Sequence, residues 1–349
     1  VPGRRTQLAV VLCLALDGGA RAQAPEKAPE ATAISPQRVE VPIKQVTLPD
    51  GEPRYAVRIR VGRTEIEAGL DTGSTGLRIL PGTLAPGDAV STAERESTRY
   101  GSGAQLDGVV AKAAVDIGGL KGDARFELVD KVGCARQMTN CPAARVAQAD
   151  YGIMGDGLAG AGFKAILGVG LKTVRIDNPL RTVGANRFIV DLPRDETETG
   201  RLILNPAAAD LDGFRKVPAY PLSAEQTQLH ADTVTGCLVP KAGGAKICGA
   251  LTFDTGAPGI RVVSPDPLGV AWPPGTEASI VLDDGAGGVA ATQDVAIGSR
   301  TQSANLTFKE MPNLPKTVIR AGTAPYLVYS VFYDLDQGGL AVRARAPRS

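Results

Sequence analysis

Two short runs of this chain repeat one another around an acid. Asp71-Thr72-Gly73-Ser74-Thr75-Gly76-Leu77-Arg78-Ile79-Leu80 recurs as Asp254-Thr255-Gly256-Ala257-Pro258-Gly259-Ile260-Arg261-Val262-Val263, with five of ten positions identical and three more exchanging one aliphatic residue for another. Each copy follows an apolar residue, Leu70 or Phe253, and so reads as a strand, a tight glycine turn exposing an acid, and a second strand. Asp and Gly are common in turns for local reasons, and one such run appears by accident in a chain of this length with probability roughly 0.02. Two copies in like surroundings, half a chain apart, call for another reason. Two carboxylates brought within hydrogen-bonding distance cannot both ionise easily; they share one proton and titrate as a pair. A water between them then loses a proton to the ionised member while the other protonates a carbonyl oxygen.

The rest of the sequence leaves carboxylates as the groups able to run a hydrolysis. His230 is the one histidine, and no G-x-S-x-G run accompanies it, so a Ser-His-Asp mechanism has no nucleophile and a two-histidine metal site has no ligands. Zinc on the cysteines is disfavoured by their spacing, and no metal or cofactor is expected. The glycine-rich stretch 152–170 precedes Lys172-Thr173, but Leu171 stands where a phosphate loop needs glycine. With 38 Lys+Arg against 37 Asp+Glu the chain has no electrostatic case for nucleic acid. No apolar run is long enough to span a bilayer, and no stable membrane association is expected.

The elements that must position the acids read as short strands. Forty-two Gly and 25 Pro with few aromatics suggest many strands and tight turns. Val39, Val41 and Ile43, then Tyr55, Val57, Ile59 and Val61, then Ile66 and Ala68 alternate as half-buried strands do, with turns at Pro49-Asp50-Gly51 and Gly62-Arg63. Ahead of them, Arg4-Arg5, the apolar stretch Leu8 to Leu16 and small residues reaching Ala24 read as a signal peptide over residues 1–22, cleaved near Ala22 or Ala24. Residues 23–37 read as a flexible leader. Cys134, Cys141, Cys237 and Cys248 form two close pairs, which behind a signal peptide reads as two local disulfides, Cys134-Cys141 and Cys237-Cys248, though four cysteines allow three connectivities.

From about Arg54 to Arg343 the chain resembles the pepsin-like aspartic peptidases, a bacterial member. The resemblance rests on the two D-T-G runs, on Tyr100-Gly101-Ser102-Gly103 as the hairpin flap, on the apolar segment Phe163 to Leu171 beneath the first acid, and on the strand Gly200 to Leu204. It rests also on the closing strands from Gly322 through Ala341. It implies an all-β, bilobal fold of two pseudo-symmetric, six-stranded-barrel-like lobes around a central cleft, with an N-terminal lobe over 38–207 and a C-terminal lobe over 208–349. It further implies a monomeric endopeptidase, periplasmic or secreted, whose polypeptide substrate is hydrolysed between Asp71 and Asp254 without a covalent intermediate. Thr72, Gly73, Ser74, Thr255 and Gly256 would support the acids, and Tyr100, Gly101 and Ser102 would form the flap. A protein of the same fold that holds a peptide or glycan in the cleft without cutting it is the alternative. Three departures stand out. Arg78 occupies the place of the family's tryptophan, so the flap is expected to be positioned differently. Arg320-Ala321 replaces an apolar pair before Gly322. Ala257 replaces a hydroxyl that Ser74 retains in the first copy, which favours the neutral acid and a higher working pH.

Overall fold

The alternating segments fold as strands whose apolar members point inward. Val39–Thr47 buries Val41 and Ile43, Pro53–Val61 buries Tyr55, Val57, Ile59 and Val61, and Thr64–Asp71 buries Ile66, Ala68 and Leu70. The computed structural model describes residues 36–221, 232–269 and 272–346. The signal peptide, nearly all of the leader, and His230 lie outside these residues. From Pro36 onward the chain forms one compact unit.

The fold is all-β and contains two large sheets. The first has 13 strands. Across it run Arg215–Val217, Leu340–Ala344, Tyr329–Asp334, Arg187–Asp191, Gly200–Leu204, Val39–Thr47 and Pro53–Val61. Then follow Thr64–Asp71, Ala165–Val169, Thr75–Ile79, Leu120–Cys134, Ala104–Ile117 and the edge strand Val90–Arg99. Three of these strands come from beyond residue 208, so both halves of the chain contribute to one continuous sheet. The second sheet has seven strands, in the order Val289–Ala296, Glu277–Asp283, Val234–Pro240, Ile247–Thr252, Val318–Arg320, Ile260–Ser264 and Leu306–Glu310. One hydrophobic cluster joins residues of both sheets, among them Leu70, Leu167, Phe253, Ile319 and Tyr326. Trp272 packs on it, half-buried.

The sequence repeat continues as a repeat of topology. In the first sheet the strands on either side of the Asp71 turn do not pair with each other. Ala165–Val169 lies between them, parallel to Thr64–Asp71 and antiparallel to Thr75–Ile79. In the second sheet Val318–Arg320 lies in the same relation, parallel to Ile247–Thr252 and antiparallel to Ile260–Ser264. Each strand that follows an acid turn then takes a further parallel neighbour, Leu120–Cys134 or Leu306–Glu310. An inserted strand holds the two arms of each turn apart, so the acid sits at the tip of a wide loop and not in a hairpin.

The sole α-helix among the described residues, Pro179–Thr182, serves the first loop. Its N-cap Asn178 accepts from the Leu180 amide at 2.9 Å and donates to the carbonyls of Val169 and Gly170 at 3.0 Å each. Thr75 Oγ1 donates to the same Gly170 carbonyl at 2.8 Å. Side-chain donors thus satisfy the carbonyls where the inserted strand ends beneath Asp71.

Candidate active site

The two acid loops come from different sheets and meet. A Cβ placed on Gly73 would collide with the carboxyl group of Asp254, and one on Gly256 would lie 2.7 Å from Asp71 Oδ1. Each glycine is therefore required by the other loop's acid, because any side chain would drive the carboxyls apart. The loops are tied by a reciprocal exchange. The Thr72 amide donates to Thr255 Oγ1 and the Thr255 amide to Thr72 Oγ1, both at 3.0 Å. Each hydroxyl then donates onward, Thr255 to the Leu70 carbonyl at 2.7 Å and Thr72 to the Phe253 carbonyl at 3.4 Å. Both threonines are buried to 1% exposure, so these bonds across the contact are shielded from water.

The carboxyls differ in their surroundings. Asp71, 4% exposed, accepts at Oδ1 from the amides of Gly73 at 2.7 Å and Ser74 at 3.2 Å, and at Oδ2 from the Ser74 hydroxyl at 2.5 Å. Asp254, half-buried, accepts from the Gly256 amide alone, at 2.9 Å, while the Ala257 amide turns instead to the Asp254 main-chain carbonyl at 3.3 Å. Burial first, and the neighbouring Asp71 second, push the Asp254 carboxyl up to about 7; the Gly256 amide, Arg320 and Lys172 pull the other way. Lys172 is close by, its Nζ donating to the Gly73 carbonyl at 3.3 Å. Burial beside a second carboxyl thus favours the protonated form of Asp254, which has a single amide donor.

Tyr100, Gly101 and Ser102 form the tip of the hairpin between Val90–Arg99 and Ala104–Ile117, closed by the Tyr100 amide donating to the Ala104 carbonyl and the Gly103 amide to the Tyr100 carbonyl, each at 2.9 Å. The Tyr100 ring packs beside a second cluster that includes Leu80, Leu106, Tyr151 and Ile153. Its hydroxyl is buried with no hydrogen-bond partner among the described residues, and burial raises its pKa. The Ser102 hydroxyl accepts from the Ala104 amide at 3.4 Å within the turn.

Arg78 turns away from the acids. It lies 6.0 Å from the Tyr100 ring centroid and donates to Thr98 Oγ1 at 2.7 Å and to the carbonyls of Gly76 and Thr75 at 3.0 Å each. It also pairs with the wholly buried Glu127 at 3.2 Å. Neither catalytic candidate is therefore neutralised by this arginine.

Both disulfides are present as local pairs, Cys134–Cys141 and Cys237–Cys248. The first lies beside the hairpin tip, where Ala135 N donates to the Gly103 carbonyl at 2.8 Å and Cys134 is in register with Ala104. The described residues contain no cluster of three or more His, Cys, Asp or Glu able to hold a metal, and no helix among them is long and apolar enough to cross a membrane.

Sequence reasoning missed two tyrosines beneath the site. The Tyr326 hydroxyl meets Thr72 Oγ1 at 2.9 Å and the Tyr333 hydroxyl at 2.5 Å, and the Tyr326 ring stands edge-on to Phe253 with centroids 5.9 Å apart. The signal was the presence of three of only seven tyrosines, Tyr326, Tyr329 and Tyr333, within eight residues of the closing segment. Glu127 carried no local signal, because its partner Arg78 is 49 positions away. No protein-family model matches the sequence, and no curated protein matches it.

Proposed function

We propose that this protein is an aspartic endopeptidase of pepsin-like, bilobal fold, with Asp71 and Asp254 as the catalytic pair. The observation that carries the reading is the contact of two repeated acid loops, each glycine against the other loop's carboxyl, with unequal donor sets. Two like-charged groups in a half-buried site destabilise the fold unless they share a proton, and a shared proton is what water activation requires. Asp71 takes a proton from a water bound between the carboxyls as its oxygen attacks the peptide carbonyl. Asp254 gives its proton to the carbonyl oxygen, and a tetrahedral diol forms. Return of a proton to the amide nitrogen releases the amine, with no covalent bond to the enzyme. Tyr100, whose hydroxyl is unpartnered, closes over the bound peptide. One chain supplies both acids, so a monomer suffices. The two disulfides fit a periplasmic or secreted setting, as does the N-terminal pattern of charge, apolar run and small residues.

Incubation of the purified protein with a denatured-protein or peptide mixture between pH 3 and 8 tests this. Cleavage that is blocked by a statine-type inhibitor and lost in Asp71→Asn and Asp254→Asn supports the reading. Unchanged turnover in either folded variant refutes it. Tight binding of peptide with no cleavage at any pH points instead to the non-cutting protein of the same fold.

A further inference from the structure

The two repeated arginines meet different neighbours. In the first copy, Arg78 lies in register with Glu127 on one side and Ile166 on the other, and is neutralised. In the second, Arg261 lies in register with Thr307 on one side and Arg320 on the other. Arg320 in turn is paired with Thr252, so one row of the seven-stranded sheet reads Thr252, Arg320, Arg261, Thr307, all on one face and all at least partly exposed. Their neighbours one step along, Leu251, Ile319 and Val262, are buried on the other face. Neither Arg261 nor Arg320 has a carboxylate within ion-pair distance among the described residues. Like charges directly opposite one another in a sheet are unfavourable, and Arg320 feels the pull of Asp254 without reaching ion-pair distance from it.

The row lies at the site. Arg261 Nη1 donates to the Gly101 carbonyl at the hairpin tip at 3.3 Å, and a Cβ on Gly101 would lie 2.7 Å from Arg320 Nη1 and 3.9 Å from Arg261 Nη1. Both guanidinium groups therefore reach the underside of the hairpin tip. Arg320 stands two residues before Gly322, whose carbonyl accepts from the Asp254 amide at 3.1 Å. Lys172 adds a third cation beside the same loops.

Building on the peptidase reading, we infer that Arg261 and Arg320 form a carboxylate-recognition subsite next to Asp254, which selects peptides carrying an acidic group beside the scissile bond. A planar carboxylate matches two guanidinium forks, and its charge relieves the repulsion between them. Thr252 and Thr307 stand in register on either side of the two arginines. The carboxylate comes either from an Asp or Glu side chain or from a free chain end, and both have the same chemistry.

Uncleavable peptides with a reduced central amide serve as probes, with Glu or Gln at each of the two positions on either side of it and with a free or amidated C-terminus. Their affinities are measured by fluorescence anisotropy for the wild type, Arg261→Gln, Arg320→Gln and the double variant. The wild type should prefer Glu to Gln at one position by about tenfold or more, each single variant should lose part of the preference, and the double variant all of it. A preference for the free over the amidated end, with none for Glu, assigns the carboxylate to the chain terminus. The double variant should melt no lower than the wild type. Equal affinity for every pair in the wild type overturns the inference, as does a preference that survives in the double variant or the failure of any peptide to bind. Parallel digestion of the unmodified peptides separates the two claims. Cleavage without acid preference defeats the subsite alone, and acid preference without cleavage defeats the peptidase reading alone.

Discussion

Asp254→Asn should make the protein more stable above neutral pH, and the size of the gain follows from the site. The Asp254 carboxyl is raised from its ordinary 3.8 to about 7, by burial first and then by Asp71. An acid with a raised folded value keeps its proton in the native state while the unfolded chain has already released it. The unfolded state therefore gains on the native state as pH rises from about 4, and stability is lost until about pH 7, where the native group also ionises. Each pH unit of that window is worth about 1.4 kcal/mol, so the displacement caps the loss at about 4 kcal/mol. Asn fills the same volume, keeps an oxygen for the Gly256 amide, and cannot ionise. Urea denaturation from pH 4 to 9 should show wild-type stability falling across the window and the variant falling less steeply, with the raised Glu127 carboxyl common to both. At pH 8 the variant should be more stable by up to about 4 kcal/mol. A variant no more stable than wild type at pH 8, or one that keeps the wild-type slope, refutes the claim that the two carboxyls share a proton. The assay needs no substrate.

Ala257→Ser restores to Asp254 the kind of donor that Ser74 gives Asp71; a hydrogen bond to a charged group is worth about 1.5–3 kcal/mol, so the alkaline limb of the pH–rate profile should move down by about one to two pH units. A profile that keeps its alkaline limb would show that the serine hydroxyl does not reach the acid. Thr255→Val orphans the buried Thr72 amide and Leu70 carbonyl and should cost about 2–4 kcal/mol in chemical denaturation, with activity lost in step. Tyr100→Phe removes a hydroxyl that has no partner, so the melting temperature should hold or rise while kcat/KM falls. Replacing Cys134 and Cys141 with alanine opens a short loop beside the hairpin tip, at a cost of about 2.5 kcal/mol by the chain-entropy model; calorimetry would read it.

What could be read from the sequence was whatever is written locally. The alternation at Val39, Val41 and Ile43 and from Tyr55 to Val61 identified strands and their inward faces, because side chains on a strand have period two. Close cysteine spacing gave both disulfides. The D-T-G repeat marked the two acids, and the serine after the first predicted a donor that the structure places at 2.5 Å. Order within the sheets was not written locally. Ala165–Val169 is buried at every position and so carries no periodic face, and nothing in it indicates that it separates the arms of the Asp71 loop. The threonine exchange joins residues 183 apart, and a hydroxyl in a turn looks the same whether it faces water or a partner loop.

The arginines show most clearly where a repeat in sequence stops predicting equivalence. Arg78 and Arg261 occupy the same place in the repeat, and the strands that carry them have the same pairing pattern. Each lies between an antiparallel and a parallel neighbour. Their registered neighbours differ on both sides, Ile166 against Arg320 on the antiparallel strand and Glu127 against Thr307 on the parallel one, and the parallel residue decides whether the arginine finds an acid. Glu127 stands opposite Arg78 and draws it into the interior, where Thr98 completes the network at 2.6 Å. Thr307 stands opposite Arg261, cannot neutralise it, and leaves it extended to the hairpin tip at Gly101. Placing an acid at position 307 should therefore withdraw Arg261 from the tip. Thr307→Glu would be expected to mimic Arg261→Gln toward acidic peptides while leaving the residue itself intact.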